Sequence, residues 1–363
     1  MRSSTSTSSL PSVIGCTLLG ALACILTLEL LCRILPVSTT TATGYYFDDK
    51  ILTYPAYHEW TTATGWGLRN VQRLTSNNFG FVAKHDFVRD SDAIALIGDS
   101  FVEASMLDAV DRLDAQLERA LLPRRAVFAM GGPGSCLLDY AERIRWAHEH
   151  FGIQDFVVLM ERGDVRQSLC GSGNNHGPCL DARTLAPRTE LQRPSGAVKR
   201  IARHSALAQY LFSQLKITPE ATLRRWLSAL SHALPITHSA ASQEAVVVGP
   251  SDGTRVVDAV AQAFFERIRP HAIGRLVIVM DSDRAGIEAG GRSTPDAERA
   301  RFIALARAEG AAVIDTEPLF RAHAAVSTLR LEVGPADAHL NALGLGIVAR
   351  AASAVLAGDA VQQ

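Results

Sequence analysis

Three residues have side chains suited to nucleophilic acyl chemistry: Ser100, Asp337 and His339. Ser100 follows an apolar run, in IALIGDSF at 94–101. Taken alone, Gly98-Asp99-Ser100 reads as an ordinary polar turn closing a strand, because all three types are common in turns. A serine hydroxyl is a poor nucleophile unless a base stands within hydrogen-bond reach. His339 is the candidate base: it takes the Ser100 proton and later returns it to the leaving group. Asp337 is placed to hold the other ring nitrogen and to stabilise the imidazolium. The tetrahedral intermediate carries an oxyanion, which needs donors fixed in advance. The candidate donors are the backbone N–H groups of Ser100 and of Gly134, within GGPGS at 131–135. Glycine there lets the chain approach a substrate without a Cβ.

These groups can act only if a fold brings them to one edge. Short apolar runs at 93–97, 126–130, 156–160, 275–280 and 311–315 have strand length and no polar alternation, as in a parallel sheet covered on both faces. Helix-period segments lie between and after them, near 108–122, 137–151, 200–216, 257–269, 296–309 and 341–356. The alternation predicts βαβ units and a five-stranded, doubly wound α/β sheet. Ligands of such sheets bind beyond the carboxyl ends of the strands. The first run leads into Gly98-Asp99-Ser100, the second into GGPGS and the third into ERGDV at 161–165; the chain after the fifth run reaches PADAHLNALG at 335–344. The gap from Met160 to Arg275 exceeds one crossover helix. It reads as an insertion over the active edge, with a further helix near 219–233.

In that order, IGDSF, VFAMGGPGS, LMERGDV and DAHLNALG resemble the blocks of the SGNH (GDSL-like) hydrolase family over roughly residues 75–356. SNNFGF at 76–81 is similar to the lead-in of membrane-anchored members. The resemblance implies a flavodoxin-like three-layer α/β/α sandwich and esterase, lipase or acetyl-transfer activity without a metal or other cofactor. It implies Ser100 as nucleophile, Asp337 and His339 as its partners and Gly134 as the oxyanion glycine. G-x-S-x-G, the nucleophile turn of α/β-hydrolases, is absent around Ser100. The sequence departs from the family pattern in two places. The third block normally carries an Asn side-chain donor before its Asp, whereas this chain has Gly163-Asp164. Losing one such donor typically costs roughly 10²–10³ in rate. The alternatives are a slower site, a substitute donor (Arg162, Asn174 or Asn175), or a site that binds without catalysing. The Asp-x-His spacing is also one residue shorter than the usual Asp-x-x-His.

The N-terminus has a different character. Residues 1–9 are short and polar, and 10–33 form an apolar run of transmembrane length whose acidic residue, Glu29, lies one turn from Arg33. An uncleaved signal anchor is the expectation, since the run is too long for a signal-peptide core. Residues 34–92 read as an irregular, aromatic lead-in, and 93–358 as the α/β domain, with its insertion at about 165–255. Cys170 and Cys179 close a polar loop and are expected to pair in an oxidising compartment. Zinc held with His176 is the rival, but no matching fourth ligand is evident, so no metal site is expected. Cys16, Cys24 and Cys32 read as small hydrophobes. With 36 basic and 37 acidic residues dispersed along the chain, no basic stripe points to nucleic acid. Asp99 reads as a cap, Glu103 as a solvent-facing helix residue, and MDSDR at 280–284 as a solvated loop.

The expected protein is thus a single-pass inner-membrane serine esterase with its catalytic domain in the periplasm. It would deacylate an ester substrate, an envelope or exported polysaccharide. The alternatives are an O-acetyltransferase on the same scaffold, working with a membrane-bound acyltransferase partner, and a degenerate domain that binds glycan or scaffolds an envelope complex.

Overall fold

A computed structural model describes residues 10–39, 42–173, 176–192, 196, 202–215, 217, 250–288, 296–334 and 337–358. Asn174 and Asn175, the expected helix near 219–233 and most of the insertion lie outside these residues. The chain divides into two compact units. One comprises Met1–Thr41, Trp60–Arg73 and Ser195–Ala240. The other comprises Ala42–Glu59, Leu74–Pro194 and Ala241–Gln363.

The larger unit is built on five parallel strands: β1 (Ile94–Gly98), β2 (Val127–Gly131), β3 (Asp155–Met160), β4 (Leu276–Met280) and β5 (Ala312–Asp315). Their spatial order is β2-β1-β3-β4-β5. Each falls within a residue or so of its apolar run. Along every strand the side chains alternate between two buried faces, which is why the runs show no polar period. Ala95, Ile97, Phe128, Met130, Phe156, Val158, Ile278 and Met280 enter one core. Ile94, Leu96, Val127, Ala129, Val157, Leu159, Val277 and Val279 enter the other.

Helices cover both faces. They are α1 (Leu113–Ala120), α2 (Leu137–Phe151), α3 (Pro250–Ile268), α4 (Ala297–Ala308), α5 (Thr316–Val326) and α6 (Ala342–Ala357). Buried residues of α2, α3 and α4 join the first core, and those of α1, α5 and α6 join the second. The result is a three-layer α/β/α sandwich. Helix α5 is not among the sequence-predicted helices, although its start carries a capping signal. The Asp315 side chain accepts the Glu317 N–H at 2.8 Å. Residues 34–92 are not wholly irregular: Glu59–Thr64 and Arg69–Thr75 form a two-stranded sheet around a tight turn. Threonines and the apolar Trp60 and Leu74, both buried, suit a half-covered ribbon of that kind.

The first core is strongly aromatic. Trp146 on α2 packs against Phe47 (ring centroids 4.4 Å apart), Phe151 (4.9 Å) and Phe79 (5.0 Å). The lead-in is therefore packed into the sandwich through its phenylalanines. In the smaller unit, the N-terminal helix Leu10–Ile34 is about 37 Å long at 1.5 Å per residue. Its Val13–Ile34 segment has a mean hydropathy of 2.2 and is, among the described residues, the one helix long and apolar enough to cross a membrane.

Trp146→Ala should lower the free energy of unfolding by about 3–5 kcal/mol. Urea unfolding followed by circular dichroism measures the loss. Because Trp146 packs within the aromatic core and not against Ser100, activity per folded molecule should be retained.

Candidate active site

The strand order places the site. The chain runs from β1 outward to β2 and then returns to the other side of β1 for β3, so the carboxyl end of β1 is the switch point of the sheet. Ser100 stands there, as the first residue of a single turn, Ser100–Glu103. The turn is tight because nothing larger than glycine fits before it: a Cβ on Gly98 would lie 2.6 Å from Val102 Cγ2 and 2.8 Å from the Leu159 carbonyl oxygen. Asp99 caps the turn by accepting the Phe101 N–H at 2.8 Å. It is nearly buried, and burial raises its pKa, against the Phe101 N–H and the charge of His339.

His339 meets Ser100 from the far end of the chain. Residues Glu332–Gly334 and Asp337–Leu340 form an antiparallel pair with an irregular register between Glu332 and Gly334. His339 Nε2 lies 2.8 Å from Ser100 Oγ, and His339 Nδ1 lies 2.6 Å from Asp337 Oδ1. Facing a carboxylate, Nδ1 carries the proton, which leaves the Nε2 lone pair to accept from the Ser100 hydroxyl. The short Asp-x-His spacing suffices because the extended backbone lets Asp337 Oδ1 reach both the His339 ring and, at 3.1 Å, its N–H. Asn341 fixes the pair from behind. It caps α6 through the Leu343 and Gly344 N–H groups (3.0 Å each) and donates to the carbonyls of Arg330 (2.8 Å) and Glu332 (3.0 Å).

Gly134 lies in the loop from β2 to α2 with φ +68°, a left-handed conformation that glycine adopts without strain. That loop is tied to β1 through the Gly132 N–H, which donates to the Gly98 carbonyl at 3.2 Å. Arg143 completes the tie. It is buried beneath the loop and donates to the Gly98 carbonyl at 2.7 Å and to Ser135 Oγ at 2.6 Å. One guanidinium thus holds both the end of β1, just before Ser100, and the glycine-rich loop.

At the end of β3, Asp164 is fully buried and braces the turn from within. Its Oδ2 accepts the Glu161 N–H at 2.8 Å and the Tyr140 hydroxyl at 3.0 Å. Burial, with the charges of Asp99 and Glu161, raises its pKa well above the usual carboxylate range. The Gly163 N–H donates to Glu161 Oε2 at 2.6 Å. A Cβ added to Gly163 would lie 2.6 Å from Gln167 Nε2 and 2.7 Å from that same Glu161 oxygen. The space a side chain at 163 would enter is therefore filled by an amide from one helical turn later. Arg162 faces Asp283 (3.5 Å) and Asp296 (3.3 Å).

Two surface readings of the sequence need correction. Glu103 is buried, because its turn is pressed against the end of β2. It accepts the Tyr54 hydroxyl at 2.9 Å, and burial pushes its pKa up to about 7. MDSDR is not a solvated loop: Asp281, Ser282 and Arg284 are buried. Arg284 pairs with Asp281, donates to Glu332 at 3.4 Å and donates to the carbonyl of Ala338, between Asp337 and His339. Its guanidinium also lies 5.4 Å from the Phe101 ring, which is 4.8 Å from the His339 ring. Arg284 thus packs against both the residue after Ser100 and the segment that carries Asp337 and His339. Arg143 and Gln167 carry no signal of a site in the sequence, and Arg284 lies within MDSDR, where it reads as surface. Asn341 stood in view as the Asn before a helix. Cys170 and Cys179 are joined in a disulfide, with Cα atoms 5.2 Å apart. Among the described residues, the one cluster with metal-ligand spacing is this bonded pair with Glu190.

No family model matches the sequence, and no curated protein matches it. Among solved structures, the chain is similar to a lipase/acylhydrolase from Enterococcus faecalis at 12% identity and a TM-score of 0.36, covering 73% of this chain and 95% of that one. It is similar to a member of the lipolytic G-D-S-L family from Veillonella parvula at 12% and 0.36, covering 73% and 96%. It is also similar to a carbohydrate acetylesterase family member from Sinorhizobium meliloti at 12% and 0.35, covering 74% and 98%.

Two variants probe the buried charges. Glu103 has a folded pKa of about 7 against an ordinary 4.5, so the unfolded chain loses its proton first. Stability is therefore fully present below about pH 4.5 and falls by about 3 kcal/mol as pH rises to 7. Glu103→Gln should remove that part of the decline, read as the wild-type-minus-variant difference in urea unfolding across pH 4–8. Arg284→Ala should cut turnover on the order of 10², the cost of misplacing a catalytic group by about an ångström. Added guanidinium should restore part of it, and circular dichroism should show the fold retained.

Proposed function

We propose that this chain is a membrane-anchored serine ester hydrolase of the SGNH type. The observation that carries the reading is the continuous Ser100–His339–Asp337 hydrogen-bond path at the switch point of a parallel sheet. In this reading His339 Nε2 takes the Ser100 proton as Oγ attacks the ester carbonyl carbon. The negative charge moves to the carbonyl oxygen, which accepts from the backbone N–H groups of Ser100 and Gly134. The C–O bond breaks, the alcohol leaves with the proton from His339, and the acyl group remains on Ser100. Water, deprotonated by the same ring, attacks the acyl carbon, the bond to Oγ breaks as the ring returns the proton to Ser100, and the acid is freed. Asp337 stays ionised and stabilises the imidazolium in both halves.

Gln167 is our substitute for the absent side-chain donor, since its amide occupies the space that a longer residue at 163 would use. With Arg162 engaged by two carboxylates, it displaces Arg162 from that role. The acyl groups we assign to the site are small esters, acetyl above all, on an envelope or exported polysaccharide. The anchor and the disulfide favour an oxidising compartment outside the cytoplasm. An O-acetyltransferase, in which a sugar hydroxyl replaces water and a membrane-bound acyltransferase supplies the acyl group, uses the same groups. It is the outcome if product appears only with an acceptor.

The purified full chain in detergent should hydrolyse an aryl acetate and should be labelled at Ser100 by a fluorophosphonate. Ser100→Ala and His339→Ala should each lose on the order of 10³–10⁶ in turnover. Parent-like rates in both variants would refute the assignment. A folded protein that neither labels nor turns over, with or without sugar acceptors, would leave a binding domain as the better reading.

A further inference from the structure

The smaller unit holds aromatic side chains that the ester-cleaving site does not use. Trp66, at the tip of the hairpin 59–75, is 81% exposed, and Phe212 is 46% exposed. Exposed aromatic residues alone mean little. Their position along the N-terminal helix gives them meaning.

The segment Ser205–Gln214 is docked on the end of that helix through Glu29. The Glu29 carboxylate accepts the Ser205 hydroxyl (2.8 Å) and the N–H groups of Ala206 (3.1 Å) and Leu207 (3.0 Å), and it pairs with Arg33 at 2.8 Å. An ionised carboxylate at the edge of a bilayer is costly unless it is paired, and here every partner is supplied. The other end of the docked segment reaches the chain just past the helix. Gln214 Oε1 accepts the Ser38 N–H at 2.9 Å.

The hairpin runs back toward the same level. Thr39 N–H donates to the Thr61 carbonyl at 2.9 Å, and one residue closer to the helix Ser38 Oγ donates to the Ala63 carbonyl at 3.1 Å. Moving from 39 to 38 thus advances the hairpin from 61 to 63, so its tip at 65–67 points toward the helix end at Ile34. The docked segment holds that tip: Tyr210 O–H donates to the Trp66 carbonyl at 2.9 Å, and Gln214 Nε2 donates to the Gly65 carbonyl at 2.6 Å. Trp66, Tyr210 and Phe212 therefore lie between the levels of Glu29 and Ser38. In a bilayer whose hydrocarbon ends near Glu29, that interval is the headgroup layer, roughly 5–8 Å deep. Tryptophan and tyrosine concentrate there because their rings have an apolar body and a polar edge.

We propose that this unit is a bilayer-interface module that seats Trp66, Tyr210 and Phe212 among lipid headgroups at the exit of the spanning helix. The proposal rests on reading Leu10–Ile34 as a membrane span. Its occupant is the lipid surface itself, by continuity with that helix. The module fixes the level at which residue 38 leaves the membrane.

The test uses the full chain reconstituted in phosphatidylcholine vesicles, with bromine placed either high or deep on the acyl chains. Shallow bromines should quench tryptophan emission more than deep ones, and most of that quenching should disappear in Trp66→Phe. Trp60 and Trp146 are buried and serve as the background, and the fourth tryptophan, Trp226, is replaced by Phe in both proteins compared. Phe at 66 keeps an apolar ring at an exposed turn, so the variant should fold. Protein that resists carbonate extraction but shows equal quenching with and without Trp66 would overturn the module and leave the span standing. Protein released by carbonate would overturn the span and the module together.

Discussion

A 2.8 Å hydrogen bond joins side chains 239 residues apart, Ser100 Oγ and His339 Nε2. Bringing such distant groups to one point costs chain entropy that the pair itself cannot offset. The sandwich supplies the difference. Two buried cores clamp a five-stranded sheet, and the sheet presents β1 and the segment before α6 at one edge. Ser100 is held by a turn that only glycine at 98 permits. His339 is held by an extended pair that Asn341 and Arg284 lock in place. A shift of either element breaks the path, so the Ser100–His339 hydrogen bond depends on the rigidity of the frame.

Buried charge is the second constraint. Arg143 and Arg284 are both nearly inaccessible, and they donate to the carbonyls of Gly98 and Ala338 respectively. Carbonyls are suitable partners because they accept strongly and cannot be protonated away. Asp99, Glu103, Asp139 and Asp164 are buried in the same region, and desolvation raises the pKa of each. Removing a single partner from such a group leaves a buried polar atom unsatisfied, which costs more than the bond contributes. The region around Ser100 is thus kept in one conformation by the penalty for any other.

Much of the fold was legible because a parallel sheet writes itself as uninterrupted apolar runs, and all five strands fall where those runs lie. Helix α5 was not legible, since Leu319 and Phe320 are adjacent and its other apolar residues are alanines and the exposed Val326, which leaves no clear helical period; its cap marked it. The candidate site was legible as residue types, Gly98-Asp99-Ser100 at the end of an apolar run and Asp337-x-His339 before the last helix. The buttresses were not. Glu103 and the MDSDR segment resemble solvated surface in a single sequence, because burial of a charged side chain depends on partners distant in the chain.

By itself the sequence determined what local chemistry can encode. That comprises the strand runs, the apolar helix at the N-terminus, the turn residues before Ser100 and the pairing of Cys170 with Cys179 across a short loop. Tertiary structure alone decided that Gln167 fills the space beside Gly163, that Arg143 and Arg284 reach the carbonyls of Gly98 and Ala338, and that Tyr210 holds the hairpin tip through the Trp66 carbonyl. The physical reason is range. Propensity and hydrophobic period act over a few residues, whereas a hydrogen bond or a desolvated charge depends on whatever the packed chain brings within about 3 Å.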